Sequence, residues 1–210
     1  MQKPDAIIFD MDGTLWDAVD SYVWIWNEGF RQLNIPKTFT REDLLGQMGK
    51  QPDVLIAESI ADCPGLDHAV IYKTVFELQE KTMPLLGGKL YEGVLEGIKA
   101  LSEKYTLLLL SNCEHYATGQ FLEYTQLKPY FTDAICFGDT RLPKAMNLQL
   151  LKARHQLQNP IYVGDTEGDA EQTRQSGMPF VFASYGFGNT NDYDLCFDSF
   201  KSLSKHFLNL

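Results

Sequence analysis

The chain has 210 residues, 44% hydrophobic and 22% charged, the composition of a soluble globular protein of one large domain or a medium domain with an insert. Eighteen Lys and Arg stand against 28 Asp and Glu, for a formal charge of −10. That balance excludes sequence-independent binding to nucleic acid, which such a chain would repel, while leaving a small anionic substrate open if a local cation inverts the field of one pocket.

In chain order, Ala6–Phe9 is a short, continuous apolar run that predicts a strand buried on both faces. The next stretch, from about Trp16 to Met83, breaks into helical patterns. Val19, Tyr22, Val23, Trp26, Phe30 and Leu33 recur at helical spacing. Thr40-Arg41-Glu42-Asp43 reads as a capped helix start before Leu44 and Leu45. Asp53–Ala61 and Leu66–Lys81 read as two further helices around a Cys63-Pro64-Gly65 turn, and Met83–Gly88 as a return linker. Beyond it, apolar runs at Thr106–Leu110, Ala134–Phe137, Ile161–Val163 and Phe180–Ala183 alternate with helix-length stretches at Glu92–Glu103, His115–Leu127, Ala145–Leu157 and Asp169–Ser176. The expected fold is α/β: a Rossmann-like, doubly wound parallel sheet with helices on both faces, and a small inserted all-helical cap domain. The expected boundaries are 1–16 and 84–210 for the core and 17–83 for the cap.

Cys63, Cys113, Cys136 and Cys196 are scattered without a Cys-x-x-Cys pair, which fits reduced thiols in a cytoplasmic protein better than a zinc site. The short apolar stretch near the N-terminus does not make a signal-peptide core, and no run is long enough to cross a bilayer. Neither membrane nor nucleic-acid partners are expected, and a monomer satisfies the pattern.

In open parallel sheets ligands bind beyond the carboxyl ends of the strands. There the chain places Asp10-Met11-Asp12-Gly13-Thr14, then Ser111-Asn112, then Gly164-Asp165 with Asp169 four residues on; Lys144 opens a helix between them. Four carboxylates opposed by one lysine either hold protons or recruit a cation. An all-oxygen set with open positions suits Mg²⁺, which binds alongside phosphate, and Ser111, Lys144 and nearby backbone N–H groups suit an anion's oxygens. The residues thus describe a metal-assisted phosphoryl site. Asp165 and Asp169 also suit a loop acid and a helix N-cap.

This ordered set resembles the haloacid dehalogenase superfamily, and within it the branch of phosphoglycolate phosphatase and β-phosphoglucomutase. The resemblance implies that Asp10 is the nucleophile, forming an aspartyl-phosphate on a small phosphorylated metabolite, and that Asp12 is the general acid and base. It implies Mg²⁺ held by Asp10, the backbone carbonyl of Asp12, Asp165 and Asp169, and a phosphoryl group held by Ser111, Asn112 and Lys144, with Thr14 in support. An Asp at position 12 favours phosphate chemistry over dehalogenation, which needs no protonated leaving oxygen. Two departures stand out: Ala145 follows Lys144 where relatives often have proline, with Arg141 the nearest other cation, and Trp16-Asp17-Ala18 replaces a common Asp-Ser. A phosphomutase with the same nucleophile is the alternative activity; a non-catalytic phosphate-ester-binding protein is the alternative of another class. Trp16, Trp24 and Trp26, and Gln47 and Lys50 near Gly46 and Gly49, are the residues of the insert's neighbourhood that could meet a substrate, although Trp26 fits the helical apolar stripe of the core and Gln47 and Lys50 equally suit a solvated surface loop. Glu114 and His115 adjoin the second motif.

Overall fold

The computed structural model describes residues 3–61 and 65–210, so the Cys63-Pro64 part of the expected turn lies outside the described residues. Strand β1 (Ala6–Phe9) is followed by a two-residue strand β2 (Trp16–Asp17) and four helices: α1 (Val19–Gln32), α2 (Arg41–Leu45), α3 (Pro52–Ser59) and α4 (His68–Leu86). A second two-residue strand, β3 (Lys89–Leu90), pairs antiparallel with β2. The chain then alternates through α5 (Val94–Ser102), β4 (Thr106–Ser111), α6 (Ala117–Tyr124), β5 (Asp133–Cys136), α7 (Phe137–Thr140), α8 (Lys144–Arg154), β6 (Ile161–Gly164), α9 (Glu167–Ser176), β7 (Phe180–Ala183), β8 (Leu195–Phe197) and α10 (Phe200–Leu208).

The six-stranded sheet has the order β5-β4-β1-β6-β7-β8, and every pairing within it is parallel. From β1 the chain winds first to one side, through β4 and β5, and then returns to fill the other from β6 onward. The order therefore reverses between β1 and β6, and the crevice of a doubly wound sheet opens above that pair. Alternation along each strand fills both faces. Ile7, Phe9, Leu107, Leu109, Ile161 and Val163 enter one apolar cluster, with α5, α10 and α1. Ala6, Ile8, Leu108, Leu110, Tyr162 and Phe180 enter the other, under Leu148 and Leu151 of α8. Coverage on both faces is why these strands read as continuous apolar runs rather than alternating ones.

The four helices between β2 and β3 match the predicted helical interval. Val19, Tyr22, Ile25, Trp26 and Phe30 are the buried stripe of α1. Thr40 caps α2 through a capping box with Asp43. Met83–Gly88 is not a linker: α4 runs through Met83 and Pro84 to Leu86 and stops at Gly87, whose φ of 61° ends the helix. The β2–β3 ribbon, β8, α7 and α10 were not anticipated, and Phe137 opens α7 instead of closing a strand. Among the described residues no helix is long and apolar enough to cross a membrane.

Candidate active site

The site is built on the turn that follows β1. Asp10 is anchored in the sheet, its backbone N–H donating to Val163 O at 2.8 Å. The chain then turns sharply: Leu15 N–H returns to Met11 O at 2.9 Å, and Gly13 takes φ 81°. A Cβ on Gly13 would lie 2.0 Å from Asp165 Oδ2, so glycine is required both by the backbone angle and by the approach of that carboxylate. Gly186 presses on the other side, where a Cβ would lie 2.3 Å from the Asp165 Cβ. The shape of the crevice is thus set by three segments that close on Asp165.

Asp10, Asp165 and Asp169, all buried, bring carboxylate oxygens within 4.8 Å of one another. Lys144, at the first turn of α8 and 2% exposed, donates to Asp10 Oδ1 at 3.0 Å and to Asp169 Oδ1 at 2.5 Å. The lysine therefore occupies its expected place without a following proline, because Pro143 before it starts the helix instead. Arg141 is no substitute: it pairs with Glu114 at 3.2 Å, with its backbone in the left-handed region. Tyr162, on β6, donates toward Asp10 Oδ1 at 3.2 Å, with Leu110 O at 3.2 Å and Asp169 Oδ1 at 3.4 Å within the same reach.

The two later aspartates do different work. Asp165 accepts from Thr14 Oγ1 at 3.2 Å and from Phe187 N–H at 2.8 Å. Asp169 is not the N-cap of α9; Thr166 is, and Asp169 is its reciprocal partner three residues on. Asp169 Oδ2 accepts from the backbone N–H groups of Asp165 and Thr166 at 3.2 and 3.0 Å and from Thr166 Oγ1 at 2.7 Å. With Lys144 on its other oxygen, this carboxylate is largely committed to protein donors.

Asp12 points elsewhere. Its Oδ1 accepts from Trp16 Nε1 at 2.9 Å and from the Tyr22 hydroxyl at 3.2 Å. These two partners escaped the sequence reading; the unusual Trp at position 16 was the one available signal, and Tyr22 looked like a helix stripe residue only. Tyr162 was hidden likewise inside a strand pattern.

Burial pushes the Asp10 carboxyl up to about 6, the Lys144 charge opposing this and the Asp169 charge adding to it. Burial also pushes Asp12 up to about 7, with the Asp10 charge adding and the hydrogen bonds from Trp16 and Tyr22 opposing. Burial, then the charges of Asp169 and Asp10, holds Asp165 well above the carboxylate range. For Asp169 burial acts upward too, but the charge and hydrogen bond of Lys144 and the bonds from Thr166 overcome it, leaving it below its ordinary value. Burial acts to lower Lys144, and the charges of Asp10 and Asp169 overcome it, so the ammonium is retained.

A cleft rises from Asp10, Asp12 and Ser111 to the helical insert, where Gln47, Lys50 and Trp26 line it. Ser111 is buried at the end of β4. Asn112 also lines the cleft; its amide donates one N–H to Gly49 O at 2.9 Å and keeps a second N–H, while its Oδ1 has no partner. The remaining N–H suits the phosphate oxygens expected of it, and Oδ1 suits a hydroxyl. Glu114 lines the cleft and His115 does not; Trp24 is exposed, and Trp16 is buried beneath Asp12.

A parallel sheet with paired acids at its switch point, a buried lysine between them and a helical insert above defines a phosphoryl-handling α/β hydrolase. A family model for haloacid dehalogenase-like hydrolases matches residues 7–183, and the chain belongs to that family. It is 28% identical over 211 residues to a phosphoglycolate phosphatase of Agrobacterium fabrum, covering 94% of this chain and 89% of that one. It is 27% identical over 199 residues to a probable phosphatase, IndB, of Dickeya dadantii, covering 90% and 84%. Among solved structures, CbbY of Rhodobacter sphaeroides in complex with phosphate superposes with a TM-score of 0.83 at 18% identity, covering 99% of this chain and 100% of that one. A haloacid dehalogenase-like hydrolase of Streptococcus pneumoniae superposes with a TM-score of 0.85 at 20% identity, covering 99% and 100%. At these identities the superpositions speak to the fold.

Proposed function

We propose that this hydrolase is a phosphatase acting on a small phosphorylated metabolite, with Asp10 as nucleophile and Asp12 as general acid and base. The observation that carries the reading is the separation of the two aspartates. Burial raises both, Asp10 to about 6 and Asp12 to about 7, but Asp10 lies against the Lys144 ammonium, 3.0 Å away, which favours its ionised form, whereas Asp12 is held by the neutral donors Trp16 and Tyr22. A carboxylate fixed beside a cation and a neighbouring carboxyl that meets only neutral donors are what a nucleophile and a proton donor need. Ionised Asp10 attacks phosphorus and forms an aspartyl-phosphate as the bond to the alcohol oxygen breaks; protonated Asp12 gives its proton to that oxygen. In the second half Asp12 takes a proton from water as the acyl phosphate is hydrolysed.

The buried, all-oxygen group of Asp10, Asp165 and Asp169 has the chemistry of a site for a hard divalent cation. Asp10 and Asp165, with the Asp12 backbone carbonyl, would hold Mg²⁺, which when bound neutralises phosphate charge beside the nucleophile. Asp169, committed to Lys144 and to the α9 cap, positions that lysine and the Asp165 loop. Lys144 and Ser111 receive the phosphoryl oxygens. Residues 17–83 form a cap over the core at 1–16 and 84–210, excluding water from the cleft. The reduced cysteines fit a cytoplasmic setting.

The test is phosphate release from a panel of phosphorylated metabolites, with Mg²⁺, with chelator, and with Asp10→Asn. Release that needs the cation and falls by at least ~10³ in the variant supports the reading, in line with loss of covalent catalysis. Isomerisation dependent on a bisphosphate activator, with little phosphate released, would favour a phosphomutase instead.

A further inference from the structure

We propose that the alcohol half of the substrate is an uncharged group with an apolar body, and that the cleft disfavours a carboxylate-bearing alcohol such as glycolate; this rests on the phosphatase reading. Above the reacting end, the walls are made by Trp26, Leu44, Met48, Leu55 and Phe76. Trp26 and Leu44 are almost fully buried and give the cleft a fixed apolar wall, one that rewards a matching surface and solvates no ion.

The charged groups of the cleft are weighted against a substrate carboxylate. Lys50 is its one lining cation among the described residues, and its ammonium is already engaged, by Glu58 Oε2 at 2.5 Å and Gln47 Oε1 at 3.1 Å. The lining acids are Asp10, Asp12 and Glu114. Glu114 is buried and in turn held by Arg141 at 3.2 Å and by the Tyr72 hydroxyl, so the Arg141 guanidinium is already paired. An added carboxylate would enter an apolar space facing acids, and Lys50 would have to leave Glu58 or be shared with it.

What the cleft does leave free is neutral. Gln79, 6% exposed, makes no side-chain hydrogen bond within the described residues. Asn112 Oδ1 is buried without a partner, its amide giving one N–H to Gly49 O. A buried unpartnered acceptor lining the cleft is costly unless a ligand satisfies it, and a hydroxyl does so without bringing charge. To a carboxylate, by contrast, Asn112 Oδ1 is only repulsive.

Three esters separate charge from apolar contact: phosphoglycolate, ethyl phosphate of the same chain length, and 2-phenylethyl phosphate. With Mg²⁺ and the wild-type protein, ethyl phosphate should exceed phosphoglycolate by about tenfold in kcat/KM, and 2-phenylethyl phosphate should exceed ethyl phosphate by about another tenfold, both through KM. Binding of the same three esters to Asp10→Asn, followed by calorimetry, should give the same order. Phosphoglycolate matching or surpassing the neutral esters in either measurement overturns the inference and leaves the phosphatase reading standing. Absence of turnover on every ester, with the binding order intact, overturns the phosphatase reading and retains the ligand class. Failure of Asp10→Asn to bind the neutral esters, with no preference among turnover rates, overturns the inference.

Discussion

Replacing Asp12 by asparagine should abolish the acid–base step and yet make the metal-free protein more stable at alkaline pH. The reasoning starts from burial. Asp12 is raised from 3.8 to about 7, so the folded protein retains this proton over a range in which the unfolded chain has lost it. Where the native state binds more protons than the unfolded one, stability falls as pH rises, here between about 4 and 7. At 1.36 kcal/mol per pKa unit, keeping this carboxylate charged in the fold costs ~4 kcal/mol above pH 7. The Asp12→Asn amide removes that cost and keeps an acceptor oxygen for Trp16 Nε1 and the Tyr22 hydroxyl, which lie 2.9 and 3.2 Å from Oδ1 of the aspartate. It also removes a charge facing Asp10. Thermal melts in chelator at pH 4.5, 6 and 8 provide the assay. At ~2–4 °C per kcal/mol for a chain of this size, Asp12→Asn should melt ~8–16 °C above wild type at pH 8 and within a few degrees of it at pH 4.5. Phosphate release should fall by ~10²–10⁴. A variant that melts at or below the wild-type temperature at pH 8 would refute the idea that Asp12 is held charged at a cost.

Lys144→Met removes the one partner buried between Asp10 and Asp169. In chelator it should lose ~3–5 kcal/mol in urea unfolding, and a saturating divalent cation should stabilise it by more than it stabilises wild type. Tyr22→Phe deletes a hydrogen bond that favours ionised Asp12, so Asp12 rises further and the alkaline limb of the kcat/KM profile moves to higher pH; a limb that stays in place or moves down denies Tyr22 this influence. Gly13→Ala would set a Cβ 2.0 Å from Asp165 Oδ2 at a φ of 81°, and should displace that carboxylate and weaken cation binding, measured by calorimetry, at least tenfold.

The sequence carried the strands best where they are covered on both faces. Ile7 and Ile8, on opposite sides of the sheet, are both fully buried, so β1 is apolar without interruption and legible. β8 was not, because Leu195-Cys196-Phe197 lies at the sheet edge and is only partly buried, with Cys196 exposed. The two-residue β2 and β3 give no periodicity to detect. Among site residues, Asp10, Ser111, Lys144, Asp165 and Asp169 were legible because each follows or opens an element at one end of the sheet. Tyr162 was not, since in sequence it is one more aromatic in an apolar strand. Its hydroxyl only acquires meaning once the sheet puts β6 beside β1 and Asp10 Oδ1 comes within 3.2 Å. Tyr22 is the parallel case in α1: helical spacing assigns it to the core, and its ring is indeed buried, but its polar end reaches Asp12.

That placement joins the insert to the chemistry. Asp12 belongs to the turn after β1, but one of its donors, Tyr22, belongs to the first helix of the insert, while Trp16 lies at the ribbon where the insert begins. A second link runs from Asn112, beside Ser111, to Gly49 O of the insert, and a third from Glu114 to Tyr72 of α4. Any shift of the helices relative to the sheet therefore changes the donors around the acid and the polar atoms around the leaving group together. Lys144, Asp165 and Asp169, by contrast, take all their hydrogen bonds from the sheet side. The phosphate end of the site is thus rigidly built into the core, whereas proton transfer and the choice of alcohol depend on the same insert. Substitutions in α1 or α4 should move kcat and KM together, and those around Asp169 should act on cation and phosphate without altering the preference for one alcohol over another.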